Sequence, residues 1–302
     1  MSDDPALASD LARRLTRAGL DPSAIVRLVD ATLAEDIAAG VDVTSVATVP
    51  EGATAVATFT SRAQGVVAGL DVAELVLTRA ACHPVDTEHL VADGARVATG
   101  EALLRVRGRA RDLLLGERSA LNLLCHLSGV ATLTRRWVEA VDGSGAAVRD
   151  TRKTTPLLRS LEKYAVRCGG GQNHRMALSD AALVKDNHVL AAGGVVEAFE
   201  RVRRAYPELE VEVEVDTLAD ALAVVDAGAE LVLLDNFDLA TLAAAVDQVG
   251  GRARLEASGG LSLDTAAEVA ATGVDYLAVG ALTHSAPVLD IGLDFAATTS
   301  EG

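Results

Sequence analysis

The sequence predicts an α/β protein in which a parallel barrel of six or seven strands, too few for full closure, follows a separate α+β domain. Three observations carry this expectation. From about residue 146 onward, short β-branched runs alternate with alanine-rich stretches at helical spacing. The candidate strands begin near Leu209, Leu231, Ala253 and Val274, intervals of about 22 residues, the length of one short βα unit. The first 110 to 130 residues lack that repeat and carry helical and strand-like stretches of a different order.

In chain order, residues 5 to 38 suit two helices, "PALASDLARRLTRAGL" and "SAIVRLVDATLAEDIAA". Residues 53 to 108 hold the alternating stretches "ATAVATFTSR" and "ALLRVRGR", typical of half-buried strands, and a helical run around 110 to 141 leads into the repeats. The strand candidates there are "AAVRD", "DAALVKDN", "LEVEVEVDT", "ELVLLDN", "RARLEASGG" and "VDYLAVGA", with helices such as Leu218 to Ala227 and Leu239 to Val249 between them. Repeated βα units imply a parallel sheet, because parallel neighbours need a crossover connection. Two closures compete. A doubly wound sheet binding a dinucleotide would place a glycine-rich turn after its first strand, and "VRDTRKTTP" has none, so a barrel is favoured. The domains are expected at residues 1–130 and 131–286, with 287–302 returning to the first through "VLDIGLDF".

Composition sets the surroundings. A chain of 302 residues, 50% hydrophobic, can bury a large core. "MSDDPALASDLARRL" lacks the basic patch and apolar run of a signal peptide, and no 18-residue apolar run is present, so a cytoplasmic location is expected. The three cysteines, Cys82, Cys125 and Cys168, form no CxxC pair and read as small buried or half-buried side chains. A net charge of −16 argues against duplex nucleic acid as a partner.

Against that acidity stands a basic island. Between Ala146 and Leu190 there are eight basic residues, Arg149, Arg152, Lys153, Arg159, Lys163, Arg167, Arg175 and Lys185, against four acidic ones, Asp150, Glu162, Asp180 and Asp186. Arg159, Lys163 and Arg167, spaced four apart, are expected as a solvated helix stripe with Glu162 as local partner. Arg152, Lys153 and Lys185 instead follow strands at the rim where barrels gather their chemistry, and an unpaired cation there is costly unless an anion arrives. Several guanidinium and ammonium groups at one mouth suit a ligand with more than one carboxylate or phosphate. Glu214, Asp216 and Asp235 present hard oxygen ligands at the same rim, of the kind Mg²⁺ shares with a phosphorylated substrate. Ser258, Gly259 and Gly260 after one strand, and Gly280 after the last, let backbone N–H groups approach a phosphate. The pattern describes a site for a phosphorylated sugar, a metal and an anionic co-substrate.

"DTRKT", "LEKYAV", "GGG" followed by "NHR", "KDNH", "EVEVD", "LLDN", "SGG" and "GVDYLAVGALTH", with "EDIAAGVDVTS" and "GERSALNLLCHLSGVAT" upstream, resemble the quinolinate phosphoribosyltransferases over nearly the whole chain. The resemblance implies an N-terminal open α/β sandwich joined to an incomplete, seven-stranded α/β barrel, and a homodimer whose subunits complete each other's sites. It implies that quinolinate and phosphoribosyl pyrophosphate give nicotinate mononucleotide, pyrophosphate and CO₂ in NAD biosynthesis, with Mg²⁺ required. By the same resemblance Arg152, His174 and Arg175 hold the quinolinate carboxylates, with Arg118 supplied across the interface. Lys153, Lys185 and His188 meet the phosphoribosyl pyrophosphate or developing charge. Glu214 and Asp235, joined by Asp216, serve the ribose and the metal. Ser258, Gly259, Gly260 and Gly280 bind phosphate, and Lys153, Lys185, Glu214 and Asp235 form the catalytic set. Leu157 and Ala177 depart from the family, which places glycine at both positions.

Alternatives remain at this point. A pyrophosphorylase-like protein of transition-metal uptake loci shares the fold, but the intact "DTRKT" and "NHR" favour the quinolinate enzymes. Another barrel enzyme acting on a phosphorylated sugar leaves the arginines without a substrate, and a non-enzymatic binding protein predicts that Arg152→Ala is neutral. His83, His89 and His126 match no role and read as ordinary packing, whereas His284 is open between packing and the site.

Overall fold

The computed structural model describes residues 9–38 and 40–296. The chain divides into two compact units, one made of the residues up to Leu133, Pro156–Gly169 and those from Ala286 on, the other of Thr134–Thr155 and Gly170–Ser285. Residues 156–169, expected with the barrel, therefore belong to the first unit. The expected start of the first helix at residues 5 to 8 and the end of the returning tail at 297–302 lie outside the described residues.

In the first unit come helices α1 (Ser9–Arg17), α2 (Pro22–Ile37) and α3 (Val43–Thr48), then strands β1 (Thr54–Ser61) and β2 (Gly65–Val66). Helix α4 (Leu70–Ala80), strands β3 (Asp86–His89), β4 (Arg96–Val97) and β5 (Ala102–Arg109), and helix α5 (Ala110–Ala140), which runs from the first unit into the second at Thr134, follow. Asp21 opens α2 by accepting from the Ser23 N–H with Pro22 at the first helical position, a favoured start. Ile25, Val26, Val29 and Leu33 then form its buried stripe. The alternation of "TAVATFTS" buries Ala55, Ala57, Phe59 and Ser61 on one face of β1, and β5 turns Leu104 and Val106 inward while Arg105 and Arg107 face solvent. Strand β12 (Ile291–Phe295) pairs antiparallel with β1, from Ser61↔Ile291 to Ala57↔Phe295, completing a sheet of order β12-β1-β5-β3.

Helix α6 (Arg159–Cys168) belongs to this unit and corrects the expectation of a solvated stripe. Lys163 and Glu162 are both fully buried, and Glu162 accepts a hydrogen bond from His126 at 2.9 Å. Four-residue spacing fixes which residues share a helix face but not whether that face meets water. The adjacent Tyr164 donates to Asp93, whose carboxylate also accepts the Gly69 and Leu70 N–H groups and so satisfies the start of α4. Cys168 is half-buried with its thiol pushed up to about 12, chiefly by burial, and Cys82 is exposed rather than buried.

The second unit holds β6 (Ala147–Arg149), β7 (Ala182–Val184), α7 (Asp186–Ala192), α8 (Val195–Ala205), β8 (Val211–Val215), α9 (Leu218–Asp226), β9 (Leu231–Asp235), α10 (Leu239–Val249), β10 (Arg254–Ser258), α11 (Ala266–Ala271), β11 (Tyr276–Ala278) and α12 (Ala281–His284). Its six strands are all parallel in the order β6-β11-β10-β9-β8-β7. On the free side of β6 a single parallel bridge, Arg149↔Gln172, stands where a seventh strand would run. The last strand pairs with the first, as in a barrel, yet the ring stays open between Gln172 and β7. Near-continuous burial along "LVLLD" in β9 matches a sheet covered on both faces. Thr217 and Asp238 cap α9 and α10 by accepting from Asp220 N–H and Thr241 N–H.

Candidate active site

Five of the six strands of the parallel sheet deliver polar groups at their C-terminal ends, β11 adding only Ala278, and they converge on a cavity of about 400 Å³. Thr151, Arg152 and Lys153 follow β6, Lys185 follows β7, Glu214 comes from β8, Asp235 from β9, and Glu256 and Ser258 from β10. His174 and Arg175 enter from the segment across the opening of the ring.

The charges divide the cavity into two sides. The Nε atoms of Arg152 and Arg175 are buried without a hydrogen-bond partner, and burial together with the neighbouring Arg152 holds Arg175 below the usual guanidinium range. Two mutually repelling cations with unused donors form a receptor for a dianion. On the other side Lys185 Nζ donates to Glu214 Oε2 at 2.5 Å, and Asn236 Nδ2 donates to Asp235 Oδ2 at 2.8 Å. Asn236 takes φ +56°, and a Cβ on Gly259 would stand 2.2 Å from its Oδ1, so that glycine leaves room for the Asn236 side chain. At the last strand, Gly280 lies under Lys153, whose Cδ is 3.1 Å from where a Cβ would sit, and Thr283 Oγ1 donates to the Lys153 carbonyl at 2.7 Å.

Several expected residues stand slightly apart. Asp216 lines an adjoining acidic cleft of about 340 Å³, which Glu214 and Asp235 share. His188 is exposed and lines a third cavity beside Arg175, while its Nδ1 accepts the Lys185 N–H at the start of α7. Gly259, Gly260 and Gly280 are not among the residues lining the 400 Å³ cavity, although Ser258 is. Arg118 lies exposed on α5 in the first unit. Leu157, in that same unit, is 87% exposed at φ +68°, a backbone conformation that glycine adopts without strain and that suits the glycine the resemblance implies there.

At the cavity wall His174, which the resemblance assigns to the quinolinate carboxylates, and Glu256 join a buried cluster with Arg149 and Glu212, and sequence reasoning gave Glu212 no role. His174 Nδ1 accepts the Arg175 N–H at 2.8 Å, so its ring proton resides on Nε2, which donates to Glu212 Oε2 at 2.5 Å. Glu256 approaches the same Nε2 at 3.8 Å and accepts from Arg149 at 2.7 Å. Both ring nitrogens of His174 are thus engaged within the chain. Burial, followed by the nearby Glu212 carboxylate, pushes Glu256 up to about 7. A carboxyl that holds its proton more tightly when folded supports the fold at low pH and loses that support as pH rises from about 4.5 through about 7, by up to about 3 kcal/mol. Glu256→Gln should therefore gain stability relative to the parent between pH 5 and pH 8, as read by urea unfolding. A stability difference that does not change with pH would contradict this.

Comparison with known proteins follows the same line. Residues 42–128 match the family model described as quinolinate phosphoribosyl transferase, N-terminal domain, and residues 130–294 match its C-terminal domain. The nicotinate-nucleotide pyrophosphorylase [carboxylating] of Mycobacterium leprae is 54% identical over 268 residues, covering 87% of this chain and 94% of its own. The quinolinate phosphoribosyltransferase [decarboxylating] 1 of Nicotiana glauca is 37% identical over 286 residues, covering 88% and 81%. The crystal structure of NadC from Streptococcus pyogenes, 40% identical, superposes with a TM-score of 0.87 over 92% of this chain and 99% of that one. With both family domains matched along the chain and the cationic and acidic sides of the cavity in place, this protein belongs to the quinolinate phosphoribosyltransferase family.

Proposed function

We propose that the chain transfers the phosphoribosyl group of phosphoribosyl pyrophosphate to the ring nitrogen of quinolinate and then releases CO₂, yielding nicotinate mononucleotide and pyrophosphate. The observation that carries this is the pair of buried, partnerless guanidinium nitrogens on Arg152 and Arg175, in one cavity with Lys153, Lys185, Glu214 and Asp235. A planar dicarboxylate satisfies both arginines at once, which a monocarboxylate does not.

On this reading the acidic side faces the sugar. As the bond from C1′ to pyrophosphate breaks and that to the ring nitrogen forms, positive charge develops on the ribose, and Glu214 and Asp235 stabilise it. Lys153 and Lys185 neutralise the departing pyrophosphate, with Ser258, Gly259, Gly260 and Gly280 receiving phosphate through the backbone. The quaternised nitrogen then stabilises the electron pair left on C2 as the adjacent C–CO₂ bond breaks and CO₂ leaves, and a proton from water takes the carboxylate's place, so no general base on the pyridine is needed and positioning supplies much of the rate. The donor set fits Mg²⁺: Glu214 and Asp235 are half-buried carboxylates on neighbouring strands, and Mg²⁺ is commonly held by one or two carboxylates plus substrate phosphates. There the ion would supply charge neutralisation for the pyrophosphate oxygens. Arg118 from the partner subunit of a homodimer is part of the same proposal.

Quinolinate-dependent CO₂ release by the purified protein with phosphoribosyl pyrophosphate and Mg²⁺, run beside nicotinate and an Arg152→Ala variant, tests it. CO₂ from quinolinate that is lost in the variant supports the assignment. No CO₂ from folded protein overturns it.

A further inference from the structure

We propose that Asp150 and Glu212 are positioning residues that clamp His174 from both flanks of the unclosed barrel and thereby set Arg175 in the site. This rests on the dicarboxylate reading of the cavity and deepens it.

The segment from Asn173 to Ala181 crosses the opening between Gln172 and β7, where neither side offers a strand ladder. A backbone carrying a substrate-facing arginine there must be fixed by other hydrogen bonds. Two buried carboxylates supply them. From the β6 side, Asp150, fully buried, accepts the His174 N–H at 2.9 Å and the Asn173 Nδ2–H at 2.5 Å. From the β8 side, Glu212, 2% exposed, accepts His174 Nε2–H, and the opposite ring nitrogen accepts the Arg175 N–H. The imidazole is thus a rigid link from the β8 strand to the Arg175 backbone. The Arg175 side chain makes one further anchor, Nη1 to the Ala181 carbonyl at 2.9 Å, and keeps Nε unpartnered.

The arrangement also explains the tautomer. Because Nδ1 is used as an acceptor, Nε2 carries the proton and offers no lone pair to a metal, although His174, Glu212 and Glu256 lie close enough together to hold one. Two carboxylates buried this deeply are costly unless the hydrogen bonds they accept are needed. Here they order the substrate-facing segment.

The test compares Glu212→Leu, Glu212→Gln and Asp150→Asn with the parent, reading KM for quinolinate and for phosphoribosyl pyrophosphate separately, and equilibrium binding of phthalate as a non-reacting dicarboxylate. Glutamine keeps an oxygen acceptor for Nε2–H and should stay within about threefold of the parent, whereas leucine should weaken phthalate and raise the quinolinate KM about tenfold or more. The phosphoribosyl pyrophosphate KM should remain within about threefold, which a general loss of structure would not produce. A folded Glu212→Leu protein with unchanged phthalate binding, or with both KM values raised alike, overturns the proposal. If the leucine variant does not fold, Asp150→Asn decides by the same split, because both Asp150 oxygens accept and asparagine turns one of them into an N–H donor facing the Asn173 amide or the His174 N–H. A parent protein that binds neither quinolinate nor phthalate overturns the dicarboxylate reading itself, and this role with it.

Discussion

Arg175→Ala is expected to lower kcat/KM for quinolinate by about 30-fold to several thousand-fold, while the KM for phosphoribosyl pyrophosphate changes by no more than about threefold. The range is what truncating one desolvated partner of a charge pair costs, about 2–5 kcal/mol at about 1.4 kcal/mol per tenfold. It applies because Arg175 sits in the cavity wall beside Arg152 with an unused donor, so the substrate carboxylate supplies its counter-charge. Arg175→Lys should recover little of the loss, since an ammonium cannot reproduce the planar two-point grip of a guanidinium. Steady-state kinetics with each substrate varied in turn checks both statements, and a loss shared equally between the two substrates would contradict them. Removing either arginine also relieves repulsion on the other, so the double variant should lose less than the single losses combined.

Gly129→Ala is expected to destabilise the first unit by about 3 kcal/mol or more, read as a lowered denaturation midpoint. The sign is the informative part. In the middle of an ordinary helix this substitution stabilises by about 1 kcal/mol through propensity. On α5, however, a Cβ at this position would lie 2.2 Å from the Pro287 carbonyl oxygen and 2.9 Å from the Val288 Cα. Both are backbone atoms of the segment that leads to β12, and that segment is tied to α5 by the Leu289 N–H bonded to the Cys125 carbonyl at 3.0 Å. Neither side can yield as a flexible side chain would, so overpacking strain outweighs propensity. A variant as stable as the parent would show that this approach is looser than drawn.

The parallel unit was legible because its periodicity is simple. The helix Leu239–Val249 falls where alanine, leucine and valine recur at helical spacing, and the polar residues after each strand mark the rim. Glu212 was missed although a signal existed: it lies two residues before Glu214, so the two share one face of β8, with Glu212 deeper. The burial of Lys163 and Glu162 left no such signal, because a charged pair on a helix looks the same in sequence whether its neighbours are water or protein. The inward-turned ring of His174 was hidden for a related reason. The carboxylates that orient it come from positions 24 and 38 residues away along the chain. Leu157 shows the converse: its departure from the expected glycine was visible in the sequence, but its left-handed backbone was not, because φ is a property of the folded loop.

The pairing of β12 with β1 has a consequence for biogenesis. Arg62 and Asp294, joined in an ion pair along that ladder, are 232 positions apart in sequence. During synthesis the first sheet waits with β1 uncovered along one edge until the entire parallel unit has emerged. A nascent chain in that state presents unpaired backbone donors and acceptors, so its hazard is greatest while the ribosome is still at work. Slow closure of so distant a contact is also expected to govern refolding after dilution from denaturant, with the parallel unit recovering first. Supplying the Ile291–Phe295 strand as a separate peptide to a chain stopped at residue 285 would show whether the edge can be captured in trans.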